Sequence, residues 1–385
     1  MDDVEYIDRP GALAAFCQSI AASGWIALDT EFMRERTYHA RLCLIQVADP
    51  DHIACIDPLA LSELDPLLEI LYDPGTTKVL HAAQQDLEVF YDLRGQVPAP
   101  VFDTQIAAAL VGHGNQTGYA RLAQSLLGVQ LDKSRSRSDW SRRPLEAEDL
   151  AYAADDVRYL RRIYTRLREE LDRRGRRSWL DEDFRALADP ERYAKSPEQA
   201  WRRVKGGSRL RARSFAALRR LAAWRETQAR KRNLPRQWVL KDSLLLDVAQ
   251  RLPSSLQALE RVRGMPANVV RRHGETLVAI VEQAREEPEP GPPPARPDQR
   301  LGEEQQPLVD LLMSLVRLRG AQQDISPATL ASRRDIEMLL LGQRELDVLR
   351  GWRRHAVGDD LLAALDGRLH FVVRDGRLDI EPARD

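Results

Sequence analysis

The strand-like apolar runs of this chain cluster in its first eighty residues, and that clustering limits the fold more than any other feature. Trp25-Ile26-Ala27-Leu28 ends in Asp29, and Leu42 to Ala48, Ile53 to Ile56 and Lys78 to Leu80 follow. A short continuous apolar run of this kind suits a buried strand. Residues 10–24 and 62–72 carry apolar positions at helical spacing, the second stretch stopping at Asp73-Pro74-Gly75. A further helix is expected through Phe90, and the region from Thr104 to about Leu171 reads as mostly helical. Three clustered strands followed by alternation with helices indicate an α/β layered domain. After about residue 190 no convincing strand appears until the last few residues. Residues 210–282 and 303–365 read as short amphipathic helices, and between them residues 286–298 (EEPEPGPPPARPD) hold six prolines. Such a stretch makes a stiff linker rather than regular structure.

A chain of 385 residues is too long for one ordinary domain of roughly 100–200 residues. The expected organisation is an α/β domain over 1–195, a helical domain over 205–285, a proline-rich linker over 286–300 and a second helical domain over 301–385. The net charge is only −1, so contact with a polyanion must come from local basic patches. The three cysteines, Cys17, Cys43 and Cys55, form no CxxC pair, which argues against a zinc site and fits reduced thiols in a cytosolic protein. The acidic start MDDVEYIDRP lacks the apolar run of a signal peptide. No stretch approaches the roughly 18 consecutive apolar residues of a membrane span. A soluble, cytoplasmic protein without membrane contact is expected.

Three groups of acids stand out. Asp29 and Glu31 sit two apart at the end of the first apolar run, so on a strand they share a face. Two carboxylates on one face repel unless a cation lies between them. An ordinary turn with two solvated acids is the simpler alternative. Asp86 falls where a strand runs into a helix, and there the helix dipole alone favours an acid. Tyr152 and Asp156 are i and i+4, neighbours on one helix face, which a solvated surface pair also satisfies. Asp103 before Thr104 reads as a helix N-cap, with a supporting role at a metal site as the alternative. His81 reads as a structural hydrogen-bonder.

Each signal alone is weak, but their order along the chain is informative. Asp-x-Glu on a strand, an Asp at a strand-to-helix junction and a Tyr-x-x-x-Asp helix resemble the DEDD exonuclease superfamily. The subclass with histidine places that residue five before the last aspartate, where this chain has Ala151, so the tyrosine subclass is the match. The context Asp29-Thr30-Glu31-Phe32-Met33-Arg34-Glu35-Arg36-Thr37-Tyr38 with Leu42-Cys43-Leu44-Ile45-Gln46 is similar to the first motif of the ribonuclease D family. So is Ser138-Asp139-Trp140-Ser141-Arg142-Arg143-Pro144-Leu145. The resemblance covers residues 1 to about 290. It implies metal carboxylates at Asp29, Glu31, Asp86 and Asp156 and a water-positioning role for Tyr152, with Asp155 a bystander.

The chemistry explains why such residues are needed. A phosphodiester is anionic and repels a nucleophile. Two divalent cations about 3.5–4 Å apart activate water on one side and stabilise the leaving oxygen on the other. Four carboxylates offset their charge, and hard oxygen ligands suit Mg²⁺ or Mn²⁺. A tyrosine of ordinary pKa, about 10, is a poor base at neutral pH, so Tyr152 orients water rather than deprotonating it. The products would be nucleoside 5′-monophosphates, and the 3′-to-5′ polarity comes from the resemblance.

Candidate nucleic-acid contacts come from two basic stretches. Lys133, Arg135, Arg137 and Arg142 precede the tyrosine motif; Trp140 among them reads as a core residue, with base stacking as the alternative. Residues 202–236 carry thirteen Lys or Arg and the single acid Glu226, and Arg209, Arg211 and Arg213 are the candidates there. Leu218, Leu221, Trp224-Arg225, Asn233-Leu234-Pro235, Val239, Asp242, Leu245 and Arg263-Gly264-Met265 are similar to an HRDC domain. In that family the role is nucleic-acid binding. Residues 303–370 have a similar size and period with a poorer motif match, and are expected to be a second, divergent HRDC-like domain.

The expected fold is thus an α/β, ribonuclease H-like exonuclease domain followed by two small all-α HRDC-like domains. The expected function is metal-dependent 3′-5′ trimming of RNA, with tRNA precursors as the family's substrate class; no protein partner can be inferred. An exonuclease acting mainly on DNA and an inactive nucleic-acid-binding scaffold are the alternatives.

Overall fold

The computed structural model describes residues 4–132, 134–135, 138–287, 291 and 301–383. Most of the expected proline-rich linker therefore lies outside the described residues. The chain divides into two compact units. The first comprises Met1–Phe32, Leu42–Pro190 and Gln299–Asp385; the second comprises Met33–Arg41 and Glu191–Asp298.

The first unit is built on a six-stranded sheet. In chain order its elements begin with β1 (Val4–Ile7), α1 (Pro10–Ile20), β2 (Trp25–Met33), β3 (Arg41–Ala48) and β4 (Ile53–Ile56). They continue with α2 (Asp65–Tyr72), β5 (Thr77–Leu80), α3 (Gln84–Arg94), β6 (Val101–Asp103) and α4 (Thr104–Ala109). Next come α5 (Tyr119–Leu127), α6 (Ala147–Arg173) and α7 (Asp181–Leu187). The strand order is β1-β4-β3-β2-β5-β6. β1 runs parallel to β4, β2 to β5 and β5 to β6, whereas β3 and β4 are antiparallel. The mixed α/β architecture matches the expectation.

The central strands are apolar because both faces are covered. Every residue of β3 except Arg41 is buried, as are all four of β4. The long α6 places Ala153, Val157, Leu160, Ile163, Tyr164, Leu167 and Leu171 in the core at helical spacing. Burial of so many side chains, each worth about 1.5–3 kcal/mol when large and aliphatic, fixes α6 against the sheet.

The second unit is helical: α8 (Ala212–Lys231), α9 (Arg236–Val239), α10 (Asp242–Arg251), α11 (Leu256–Glu260) and α12 (Ala267–Arg285). Its core gathers Phe215, Leu218, Leu221, Leu245, Val248, Leu259, Leu277 and Val281. The segment 33–41, between β2 and β3, belongs to this unit. Buried Tyr38 packs with Ala229 and Val239, and Asn233 Oδ1 accepts hydrogen bonds from the backbone N–H groups of Tyr38 and His39.

Residues 303–365 are helical, as expected: α13 (Gln306–Gln323), α14 (Pro327–Leu330), α15 (Arg333–Leu340), α16 (Gly351–Arg353) and α17 (Asp359–Leu365). An antiparallel hairpin, β7 (Leu369–Arg374) and β8 (Arg377–Pro382), closes the chain. This region falls in the same compact unit as the sheet rather than standing apart. The Trp352 ring stacks on Trp179 at 5.2 Å and 9°, and Arg353 pairs with Asp183 at 3.2 Å. Arg174 reaches Asp324, and Arg176 donates to the carbonyl of Gln323.

Candidate active site

The first apolar run does not stop at Asp29, as its sequence implied. β2 continues through Asp29-Thr30-Glu31 to Met33, so both acids project from an ordered strand. α6 brings Asp156 to the same place. Ligand oxygens of Asp29, Glu31 and Asp156 lie within 4.8 Å of one another. Asp86, in the first turn of α3, borders the same cleft but stands outside that close trio. Its Oδ1 accepts the hydroxyl of Thr30 at 2.5 Å, so α3 is tied to β2 between the two strand carboxylates.

The cleft has a volume of about 320 Å³. Asp29, Thr30, Glu31, Phe32, His81, Ala82, Gln85, Asp86, Tyr119, Tyr152, Asp156 and Leu160 line it. No lysine or arginine is among these described residues. Four acids therefore face one another without a cation. Burial pushes the Asp29 carboxyl well above the usual range, and the charges of Asp156, Asp86 and Glu31 add to the shift. Burial, then Asp156 and Asp86, raise Glu31 to about 8. Asp156 rises to about 7, from burial and then Asp155 and Asp86. Asp86 rises to about 6 through burial, opposed by its bond to Thr30. Divalent cations would relieve this repulsion, and an all-carboxylate donor set fits a hard ion such as Mg²⁺ or Mn²⁺.

Tyr152 stands one helical turn before Asp156 and lines the cleft. Burial and the charges of Asp156, Glu31 and Asp29 raise its pKa, so it is a neutral phenol at physiological pH. The buried Trp140 ring lies 6.1 Å from the Tyr152 ring, in agreement with a core role for Trp140. Its loop is anchored by Arg143, whose Nε and Nη2 donate to the Asp57 carboxylate at 2.5 and 2.7 Å. The same guanidinium donates to the carbonyls of Cys43 and Trp140.

Asp103 is the N-cap of α4, accepting from the N–H groups of Gln105 and Ile106. It also accepts from Ala82 and Ala83, clamping the turn that starts α3 and carries Asp86. His81 Nδ1 lies 3.0 Å from Thr104 Oγ1, as a structural hydrogen-bonder would, while the residue also lines the cleft. Tyr119 was not foreseen. Its hydroxyl donates to the carbonyls of Asp156 and Asp155, holding α6 where the last carboxylate enters the cleft. Nothing in the Gly118-Tyr119 context marks such a role.

The candidate nucleic-acid residues have different fates. Lys133 and Arg137 lie outside the described residues. Arg135 is engaged by Glu146, Glu148 and Asp149, so it is not the free cation its sequence context implied. Arg142 is exposed. Arg209, Arg211 and Arg213 are exposed and make no ion pair among the described residues. Part of the surrounding basic run is consumed internally. Arg236 forks onto buried Glu226, and Arg225 donates to Leu240 and Asp242.

Residues 4–172 match the 3′-5′ exonuclease family, and residues 214–281 match the HRDC domain. The chain is 43% identical to ribonuclease D of Sphingobium indicum over 95% of both chains. It is 38% identical to ribonuclease D of Pseudomonas paraeruginosa, over 94% of this chain and 98% of that one. The chain belongs to the ribonuclease D family. It is accordingly a 3′-5′ exoribonuclease, a hydrolase. The crystal structure of Escherichia coli ribonuclease D, "an exoribonuclease involved in structured RNA processing", superposes with a TM-score of 0.81 at 38% identity. That match covers 95% of this chain and 99% of the other. Ribonuclease D membership implies divalent metal ions, and among the described residues Asp29, Glu31 and Asp156 form a carboxylate cluster that could hold one. Among the described residues no helix is long and apolar enough to cross a membrane.

Proposed function

We propose that this ribonuclease D family member trims 3′ extensions from structured RNA, tRNA precursors among them. It does so in the cytoplasm and releases nucleoside 5′-monophosphates one at a time. One observation carries the reading: Asp29, Glu31 and Asp156 converge in a cleft that also presents Asp86 and Tyr152 and contains no neutralising cation among the described residues. Asp29, Glu31, Asp86 and Asp156 would hold two divalent ions, Mg²⁺ or Mn²⁺. When bound, such ions would supply Lewis acidity for the attacking water and for the charge on the departing 3′ oxygen. The neutral Tyr152 phenol orients that water by hydrogen bonding. Thr30 and Tyr119 hold two of the carboxylates in position. Exposed Arg209, Arg211 and Arg213 engage phosphates of the RNA body, with Arg142 a further contact.

Residues 301–385 are read as a second HRDC-like domain. The succession in α13, α14 and α15 parallels α8, α9 and α10: a long helix, one of four residues, then one of eight or ten. A residue of positive φ follows the long helix in each, Asn233 and Asp324, and a proline opens the four-residue helix or immediately precedes it.

Digestion of RNA labelled at either end, with Mg²⁺ or Mn²⁺, tests the reaction. A 3′ label should leave as mononucleotide at the earliest times, while a 5′ label should shorten stepwise. Internal fragments, or equal hydrolysis of a matched DNA strand, would refute it.

A further inference from the structure

Of the seven tryptophans in the chain, Trp238 alone is exposed, with 62% of its surface open. The other six are buried or partly buried. An isolated exposed leucine is unremarkable, but a large ring left in water forgoes more stabilisation than any other side chain.

Trp238 is held on a rigid mount. It sits in α9, where its N–H donates to Pro235 O at 2.9 Å and Leu240 N–H closes the turn onto Arg236 O at 3.1 Å. On one side Arg236 is locked to buried Glu226 by two bonds of 2.5 and 2.6 Å. On the other, Val239 and Leu240 are buried at 4% and 2% exposure. Gln237 is bonded to Asp242. The backbone carrying the ring is fixed, while most of the residue's surface is open to water.

The charge near it in the chain is one-sided. Lys231, Arg232 and Lys241 are exposed and make no ion pair among the described residues. Of the three acids within a dozen residues, Glu226 is occupied by Arg236 and Asp242 by Arg225, which leaves Asp247 against these cations. A fixed aromatic face with unpaired cations close to it in the chain matches an unpaired base and its flanking phosphates. A protein partner would need acidic groups at each flank, and nothing in the ring's own turn selects for that.

We propose that Trp238 is a stacking platform for an unpaired base of the RNA substrate, with Lys231, Arg232 and Lys241 on the adjacent phosphates. The proposal rests on the reading that this helical domain binds RNA. Stacking tolerates any base, so the contact adds affinity without sequence preference.

The test uses the full chain made inactive by Asp29→Asn, and a short unstructured RNA as probe. Trp238→Ala should weaken binding roughly tenfold, the scale of one lost stack, and Trp238→Phe should recover most of it. The log–log salt slope should stay unchanged for both, because no counterion is involved. Charge reversal at Lys231, Arg232 and Lys241 should instead flatten that slope, by about 0.7 per lost contact. On an RNA of abasic nucleotides, the Trp238→Ala and Trp238→Phe chains should bind alike. If Trp238→Ala binds as tightly as the parent while reversal of Arg209, Arg211 and Arg213 weakens binding, the platform is refuted and the RNA-binding domain stands. If neither set weakens binding, the domain's RNA role falls with it.

Discussion

The hydroxyl of Tyr119 donates to the main-chain carbonyl of Asp156 at 2.5 Å, so a residue of α5 sets the position of a carboxylate on α6. Losing this bond should let α6 shift by tenths of an ångström where Asp156 faces Asp29 and Glu31. Tyr119→Phe should lower kcat by roughly 10-fold or more, as removal of groups that orient ligands does, with KM nearly unchanged. Stability should fall by only about 1 kcal/mol. The divalent-ion concentration for half-maximal rate should rise. An unchanged ion dependence and full kcat would show that the bond only packs α5 against α6.

Tyr152 makes a different contribution. Burial and the neighbouring carboxylates raise its pKa, which leaves it a neutral phenol and fits the proposed water-orienting role better than that of a base. Tyr152→Phe should cost on the order of 10²-fold in rate, toward the lower end for positioned proton-handling groups. Ion affinity should barely change, and the pH–rate profile should keep its shape. Loss of an alkaline limb in the variant would show that the phenol does titrate during turnover.

The carboxylate cluster predicts an unusual pH dependence of stability. A carboxyl with a folded pKa above its unfolded value binds its proton more tightly in the native state, so stability falls as pH rises between the two values. Glu31, Asp156 and Asp86, raised to about 8, 7 and 6, place this window between about pH 4 and pH 8. The ion-free chain should therefore melt at lower temperature at pH 8 than at pH 5.5. Added Mn²⁺ or Mg²⁺ should reverse the trend, since its ligands must be ionised. Asp29→Asn should flatten the ion-free curve and abolish hydrolysis. A melting temperature that rises steadily with pH in chelator would contradict the cluster's electrostatics.

Much of the fold was legible because covered strands and amphipathic helices write their burial into the chain. Ile53–Ile56 was read with its bounds intact, since all four residues are buried. β1 and β6 were missed. β1 is an edge strand with only Ile7 buried, and β6 has three residues, so neither makes a continuous apolar run. The end of β2 was misjudged where polar Asp29-Thr30-Glu31 continues the strand, a local rule broken at the site itself. Asp86, singled out by motif order, borders the cleft, and nothing in the sequence names Thr30 as its partner. Nothing in the sequence joins Arg143 to its acceptor Asp57, which is 86 residues away.

That arginine gives a stability prediction. Burial would raise the Asp57 carboxyl, but hydrogen bonds from Arg143 and Tyr6 hold it below the usual range. A lowered carboxyl stabilises above its unfolded pKa and loses that contribution as pH falls through the folded one. Arg143→Met leaves Asp57 buried without its cation. The cost should be roughly 2–4 kcal/mol, discounted because the guanidinium is partly exposed. Arg143→Lys should not restore it, since one ammonium cannot replace a fork that also reaches three carbonyls. Denaturant melts at pH 7 and pH 3 check this: the deficit should be smaller at the second than at the first. Turnover per folded molecule should drop too, because the Trp140 loop backs Tyr152.

The stacked pair Trp179 and Trp352 shows how the C-terminal helices join the catalytic unit. Trp352 is 6% exposed, its ring lies under Arg353 at 4.4 Å, and its Nε1 donates to Asp183. Trp179 lies just past α6, the helix that carries Tyr152 and Asp156. Trp352→Ala removes a large buried ring and should cost about 3–5 kcal/mol. Two outcomes are separable by calorimetry. If residues 301–385 melt on their own, the variant should show an early transition while the exonuclease domain keeps its parent melting temperature. If they melt with the sheet, as their grouping into one compact unit implies, a single transition should move down as a whole. We expect the second. Hydrogen exchange should then speed up along the C-terminal half of α6 as well as in α16, and hydrolysis of even a short single strand should become more temperature-sensitive. Unchanged exchange in α6 would sink the coupling.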